Sequence, residues 1–423
     1  MTLKRQKAHL YVFIIAVLSS MMGFFFSRTL LSISLGVLIG QAFLQGDLRA
    51  RLQATWKEPL FYPMALVFFI AAFSGLWSAD KVAWMQACFN KVPFLLLPFV
   101  FSRQAGLTEK YWAAMSLLWV ALVLAGSVFT LVQFTVHYYA LENMYQVSKV
   151  LPTWAAGSHI RFSMAVVVAL LLCLRLEELE SFSRSAKLLL RLIMMWLMLF
   201  LLILSAKTGW VGLFLVVIPA LLYHLFHRGH RILVVALLAI ALLLPVVSYY
   251  VLPTFRERVH YIRYELEHPE QKRAAGVYSD HNRLLSMQAG WDIFLRHPVR
   301  GVGYGDMYVA TYAWFEAHAP QVPPSERFRP LNQWLNAAAA SGIAGLIVVT
   351  LAALLPFFLR TWRGSSSAIA LAFFMLLVFL YENPLEDQLG VFLYAFFMWW
   401  FHYSLRLEGV KHRQNDRQNL SIF

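Results

Sequence analysis

The chain of 423 residues is 60% hydrophobic and 16% aromatic, with only 14% charged residues, and this excludes an ordinary water-soluble domain. At roughly 20 apolar residues per bilayer-spanning helix, the composition supports about twelve spans. The net charge of +14 fits either nucleic acid or a membrane surface, and the placement of the cations along the chain separates the two.

Apolar runs of spanning length fall at 9–26, 29–45, 60–77, 84–102, 112–136, 159–175, 188–204, 208–226, 232–252, 333–359, 366–382 and 388–405. They predict an all-α polytopic membrane protein of about twelve transmembrane helices, with residues 1–423 as a single integral-membrane domain. The fourth run is the weakest, because Lys91 and Pro93 interrupt it. A hinge at Ser205–Thr208 separates the seventh run from the eighth. The first run lacks a small-residue cleavage site and leads straight into the second, so it reads as a span rather than a cleaved signal. Cys88 and Cys173 both sit in apolar runs and imply no disulfide framework.

Alternate short loops carry the basic residues. Lys4, Arg5 and Lys7, Arg49 and Arg51, Arg184 and Lys187, Arg360 and Arg363 and the tail all fall on the side of the termini, which holds twenty of the thirty-six Lys and Arg residues. Both termini are therefore expected in the cytoplasm. The charge excess is topological, and no soluble basic domain remains for nucleic acid.

Residues 253–331, between the ninth and tenth runs, form an outer loop with nineteen of the fifty-eight charged residues. Leu284, Met287, Trp291 and Phe294 recur at helical spacing, Asp280 is placed to cap, and His297-Pro298 stops the helix. Gly301-Val-Gly-Tyr-Gly-Asp306 follows. It lacks the Gly-Lys-Ser/Thr of a nucleotide loop and reads as a tight turn between helices.

Three cations stand at outer ends of separate segments: Arg161 at the sixth run, Lys207 in the hinge, and Arg283 at the loop helix. Each can simply snorkel to headgroups. Converging on one anion, they would suit a diphosphate through charge-assisted hydrogen bonds. Lys91 reads equally as a helix-end anchor. His224, His227 and His230 lack a nearby cysteine or carboxylate, so no metal and no other cofactor is expected. Asn332, Gln333 and Asn336 stand at the mouth of the tenth run, where amides can bond sugar hydroxyls, although Asn332 serves equally as a helix cap. Ala337 to Gly345 are small apart from Ile343 and permit close approach of another helix or a lipid chain. No Ser-His-Asp or cysteine nucleophile set and no paired-carboxylate motif is apparent.

The pattern resembles the O-antigen ligase and polymerase superfamily. The resemblance covers the topology of the whole chain and is sharpest over three stretches. These are Arg283 through His297-Pro298 to Gly301-Val-Gly303, then Leu204-Ser-Ala-Lys-Thr-Gly209, and then Leu331-Asn-Gln-Trp-Leu335 with Ser341-Gly-Ile-Ala-Gly345. There are two departures. Lys207 stands where the family usually has arginine, and Leu331 stands where it has the histidine thought to act as base.

The resemblance implies metal-independent glycosyl transfer at the periplasmic face of a bacterial inner membrane. A glycan leaves undecaprenyl diphosphate and joins a sugar hydroxyl of lipid A–core or another saccharide acceptor, with membrane lipids as further partners. A polymerase of the same superfamily, or a non-enzymatic polysaccharide or lipid transporter, is the alternative. On this reading Arg283 and Lys207 stabilise the leaving group with Arg161, Asn332 and Gln333 bind substrate, and the base falls to His318, ahead of Glu316 or His281.

Overall fold

The computed structural model describes residues 3–46, 48–104, 106–137, 151–155, 158–267 and 279–420, and among these there is no β-strand. In chain order the helices are α1 (Leu3–Phe26), α2 (Arg28–Leu44), α3 (Leu48–Trp56), α4 (Phe61–Phe73), α5 (Lys81–Ser102), α6 (Glu109–Val136), α7 (His159–Glu178), α8 (Arg184–Leu204) and α9 (Lys207–His227). They continue with α10 (Arg231–Val251), α11 (Pro253–Glu267), α12 (Ser279–Arg296), α13 (Met307–His318), α14 (Gln333–Phe358) and α15 (Ser366–Tyr381). The last, α16, begins at Gln388–Val391, passes through a π turn at Phe392–Phe396, and continues as Phe397–Leu420.

Eight helices among the described residues are long and apolar enough to cross a bilayer alone: α1, α5, α6, α7, α8, α9, α10 and α14. The other four segments of the expected twelve depart from a straight span. α2 and α3 form a pair bent by 113°, α4 and α15 are short, and α16 is not apolar enough over a spanning length. The expected weakness at Lys91 and Pro93 does not interrupt α5, which is capped by Asp80 accepting the Ala83 N–H at 2.9 Å. The hinge falls where expected. Ser205 ends α8 in the left-handed region (φ 53°), and α9 starts two residues later. The side chain of Asp280, expected to cap α12, lies outside the described residues.

α7 is the hub: every residue from Arg161 to Glu177 is buried, as expected of a helix apolar all round and surrounded by others. α10 is the opposite, with Ser248 its only buried residue. In water such a helix would aggregate; in hydrocarbon it needs no cover. The indole of Trp400 donates to Ser116 Oγ at 2.8 Å and that of Trp112 to the Trp400 carbonyl at 3.0 Å, which fastens α6 to α16 without leaving a buried N–H unpaired.

α14 is broken at Ser341 and Gly342. A break inside a span leaves backbone groups that lipid cannot satisfy. Here the glycine turn satisfies them: Val302 N–H donates to the Ala339 carbonyl at 2.9 Å, Gly303 N–H to that of Ala340 at 2.8 Å, and Ile343 N–H to that of Pro298 at 2.9 Å. The approach requires glycine on both sides. A Cβ on Gly301 would meet the Ala340 carbonyl carbon at 2.3 Å, and one on Gly342 would meet the Val299 oxygen at 2.2 Å. Both residues also hold φ near +66°. The segment reads correctly as a turn between α12 and α13, and it also seals a membrane helix.

α12 packs by a face other than the expected apolar stripe. Its buried residues are the small Ser286, Ala289 and Gly290, together with Asn282 and Ile293, while Leu284 and Trp291 stay 59% and 51% exposed. A Cβ on Gly290 would meet Pro330 at 2.7 Å, so backbone proximity decided the contact face rather than side-chain apolarity.

Candidate functional site

Arg161 and Arg283, 122 positions apart, meet on one carboxylate. Arg283 Nη1 donates to Glu382 Oε1 at 2.7 Å and to the Tyr381 carbonyl at 3.3 Å. Arg161 Nη2 bonds Asp387 and lies 3.9 Å from Glu382 Oε2. Arg161 and Glu382 are buried, and Arg283 is half-buried. α7 presents Arg161 from its first turn because Ser158 caps that helix. Lys207 opens α9, whose next two residues approach α7 and α15. A Cβ on Gly209 would touch Ser163 at 3.3 Å, and Thr208 lies next to the Tyr381 hydroxyl. His159, beside Arg161 in sequence, lies in the field of both Arg258 on α11 and Arg283.

The segment Glu382–Asp387 between α15 and α16 ties these parts together. Asp387 caps α16 through the Gly390 N–H at 2.9 Å, and Asn383 donates to the Pro330 carbonyl at 3.0 Å. Glu386 and Lys91 form a fully buried pair at 2.7 Å, with the Lys91 ammonium 4.5 Å from the centre of the Tyr304 ring. Burial pushes the Glu386 carboxyl upward, but Lys91 and Arg329 outweigh it and hold the group below the ordinary carboxylate range. Lys91 is thus an internal ion-pair partner, not an interfacial anchor.

Asn332 is a cap: its Oδ1 accepts the Leu335 N–H at 2.9 Å while Nδ2 donates to the Leu380 carbonyl at 2.8 Å. Gln333 is buried, donating to Glu386 at 3.0 Å and accepting from the Leu385 N–H at 2.9 Å. The structure therefore uses both amides internally, against the expectation that they face a substrate. Asn336 is also buried, and neither end of its amide has a hydrogen-bond partner among the described residues.

His318 ends α13. Its Nδ1 lies 2.9 Å from the Trp314 carbonyl, and its ring stacks on Trp314 at 4.7 Å. Because a carbonyl only accepts, Nδ1 carries the proton and Nε2 keeps its lone pair in the neutral ring. His318 faces a hollow of about 700 Å³ shared with Leu284, Gln288, Trp291, Asp292 and Leu335. Leu331, in the position of the family histidine, donates its N–H to Ser286 Oγ at 3.2 Å, one turn along α12 from Arg283. Glu316 is exposed and lies 3.6 Å from Arg327, and His281 is half-buried on the first turn of α12.

Sequence reasoning passed over Glu382, Asp387, Arg258 and Tyr381. The available signal was three carboxylates within six residues between two apolar runs, a costly placement that marks function or pairing.

Residues 192–350, 159 of the 423, match the family model described as O-antigen ligase. The match runs from α8 into α14 and includes Lys207, Arg283, His318 and the glycine turn, while Arg161 and Glu382–Asp387 lie beyond it. Within this multi-helix membrane protein, that stretch is therefore similar to the O-antigen ligase family. A comparison with curated proteins gives no match.

Proposed function

We propose that the protein transfers a glycan from undecaprenyl diphosphate to a sugar hydroxyl of lipid A–core, without a metal, at the periplasmic face of the bacterial inner membrane. The observation that carries this reading is the convergence of Arg161 and Arg283 on Glu382. As the bond between the sugar and the diphosphate breaks, negative charge grows on the leaving oxygens, and preplaced cations stabilise it. The acceptor oxygen attacks the anomeric carbon, and His318 Nε2 takes its proton. In this reading the twelve apolar segments cross the bilayer, both termini are cytoplasmic, and residues 253–331 form a periplasmic subdomain.

A polymerase would use the same site on another lipid-linked repeat. Deleting the gene separates the two: loss of a ligase accumulates long lipid-linked polymer, whereas loss of a polymerase leaves a single repeat on the acceptor. A transporter is disfavoured because the cations gather at one end of the bundle and the break in α14 is sealed by the glycine turn instead of lining a path.

The test is glycan attachment in cells carrying Arg283→Ala or Lys207→Ala. Both variants should insert normally and lose attachment. Full activity in both would exclude the proposed site.

A further inference from the structure

The exposed stripe of α12 is not explained by the cation cluster. Leu284 and Trp291 stand open on a helix whose opposite face is already packed, and both border one hollow. The hollow they share with Gln288, Asp292, Trp314 and His318, about 700 Å³, falls within the roughly 300–1,000 Å³ typical of small-molecule sites.

The chemistry of the walls selects the ligand. Trp291 offers an indole face on which the C–H face of a pyranose ring packs. Asp292 spends one oxygen on the Trp314 indole N–H at 2.8 Å and keeps the other as an acceptor. The Gln288 amide supplies both donor and acceptor, and His318 supplies Nε2. Hydroxyl groups require this mixture, whereas a surface meant only for acyl chains would not carry a carboxylate. The hollow adjoins the cation cluster along the chain: Leu284 follows Arg283, and Leu335 comes four residues after Leu331.

We propose that this hollow is a saccharide subsite in which one sugar ring stacks on Trp291 within reach of His318. The proposal rests on the glycosyl-transfer reading and adds the seat of a sugar to it. That sugar belongs either to the lipid-linked donor or to the acceptor, since both present the same C–H faces and hydroxyls.

The experiment uses the full chain in lipid nanodiscs with an undecaprenyl diphosphate-linked glycan as donor and lipid A–core as acceptor. Trp291→Ala should raise KM for the substrate seated in the hollow about tenfold, with kcat changed by less than about twofold, and Trp291→Phe should restore most of the loss. A rise confined to acceptor KM assigns the hollow to the acceptor, and one confined to donor KM assigns it to the donor. Unchanged KM for both substrates in Trp291→Ala would overturn the proposal.

A second measurement does not depend on turnover. Saturation-transfer NMR with core oligosaccharide released by mild acid, and separately with the free donor glycan, should show contact with the wild-type protein and with Arg283→Ala but not with Trp291→Ala. Contact in a wild-type protein that transfers nothing would sink the glycosyl-transfer reading and leave the subsite standing. Equal contact in wild type and Trp291→Ala, or contact in neither, would sink the subsite alone.

Discussion

Glu382 accepts a hydrogen bond from Arg283 at 2.7 Å, and the same carboxylate lies 3.9 Å from Arg161. Two guanidiniums would otherwise repel each other. The shared carboxylate offsets that repulsion and holds them on one side chain. Glu382→Gln keeps the shape and removes the charge that holds the pair. The expected result is a fall of at least about tenfold in kcat with no rise in donor KM, because an anion site that loses a negative neighbour binds anions no more weakly while its geometry loosens. Steady-state transfer kinetics check both parameters.

Lys91 and Glu386 form a pair whose partners cannot be removed singly without leaving a buried charge. Lys91→Met or Glu386→Gln should each destabilise the protein by about 3–5 kcal/mol, and the double substitution Lys91→Met with Glu386→Met should recover much of that. Thermal unfolding in detergent, followed by loss of the monodisperse peak, is the measurement.

The same pair predicts a pH dependence. The Glu386 carboxyl is held below its ordinary range in the folded protein, so the unfolded chain takes up its proton first as pH falls. The stability it contributes is complete above the usual carboxylate range and is lost as pH falls through that range toward the lower folded value. Thermal midpoints across acidic pH should fall less steeply in Glu386→Gln than in the wild type.

Gly301 faces the backbone of Ala340 and Ser341, and Gly342 faces that of Pro298 and Val299, so Gly301→Ala or Gly342→Ala must displace main chain. Each should cost well over about 2 kcal/mol. Gly46 provides the control: it has φ +75° with open space around it, so Gly46→Ala should lose only the roughly 1–2 kcal/mol of left-handed strain. Limited proteolysis of the membrane-inserted variants distinguishes the two outcomes.

His318 donates from Nδ1 to the Trp314 carbonyl, which leaves Nε2 as the basic nitrogen. His318→Ala should lower kcat by about 10²–10⁴-fold with donor KM little changed. Single-turnover transfer with preloaded donor measures it directly.

The α-helical class and most of the spanning helices were legible because apolar runs of spanning length have few alternatives in lipid. Arg161 and Lys207 were legible as charges because each stands at the end of an apolar run, and Arg283 because it opens the loop helix. Their counter-charges were not. Glu382 and Asp387 become important only through pairing with residues on α7 and α12, a long-range contact that periodicity does not encode. The face of α12 was misread for a related reason: the helix is held by Ala289 and Gly290, whose small size matters only once Pro330 is known to lie against them. Asn332 and Gln333 look like sugar ligands in sequence, yet their amides are taken by backbone and by Glu386.

The central proposal is that Arg161 and Arg283, gathered by Glu382, form a diphosphate site. Free undecaprenyl diphosphate, added to the protein in nanodiscs, tests it as a product inhibitor of transfer. Arg161→Gln and Arg283→Gln should each weaken its inhibition by about tenfold or more. Inhibition constants equal to wild type in both variants would contradict the site.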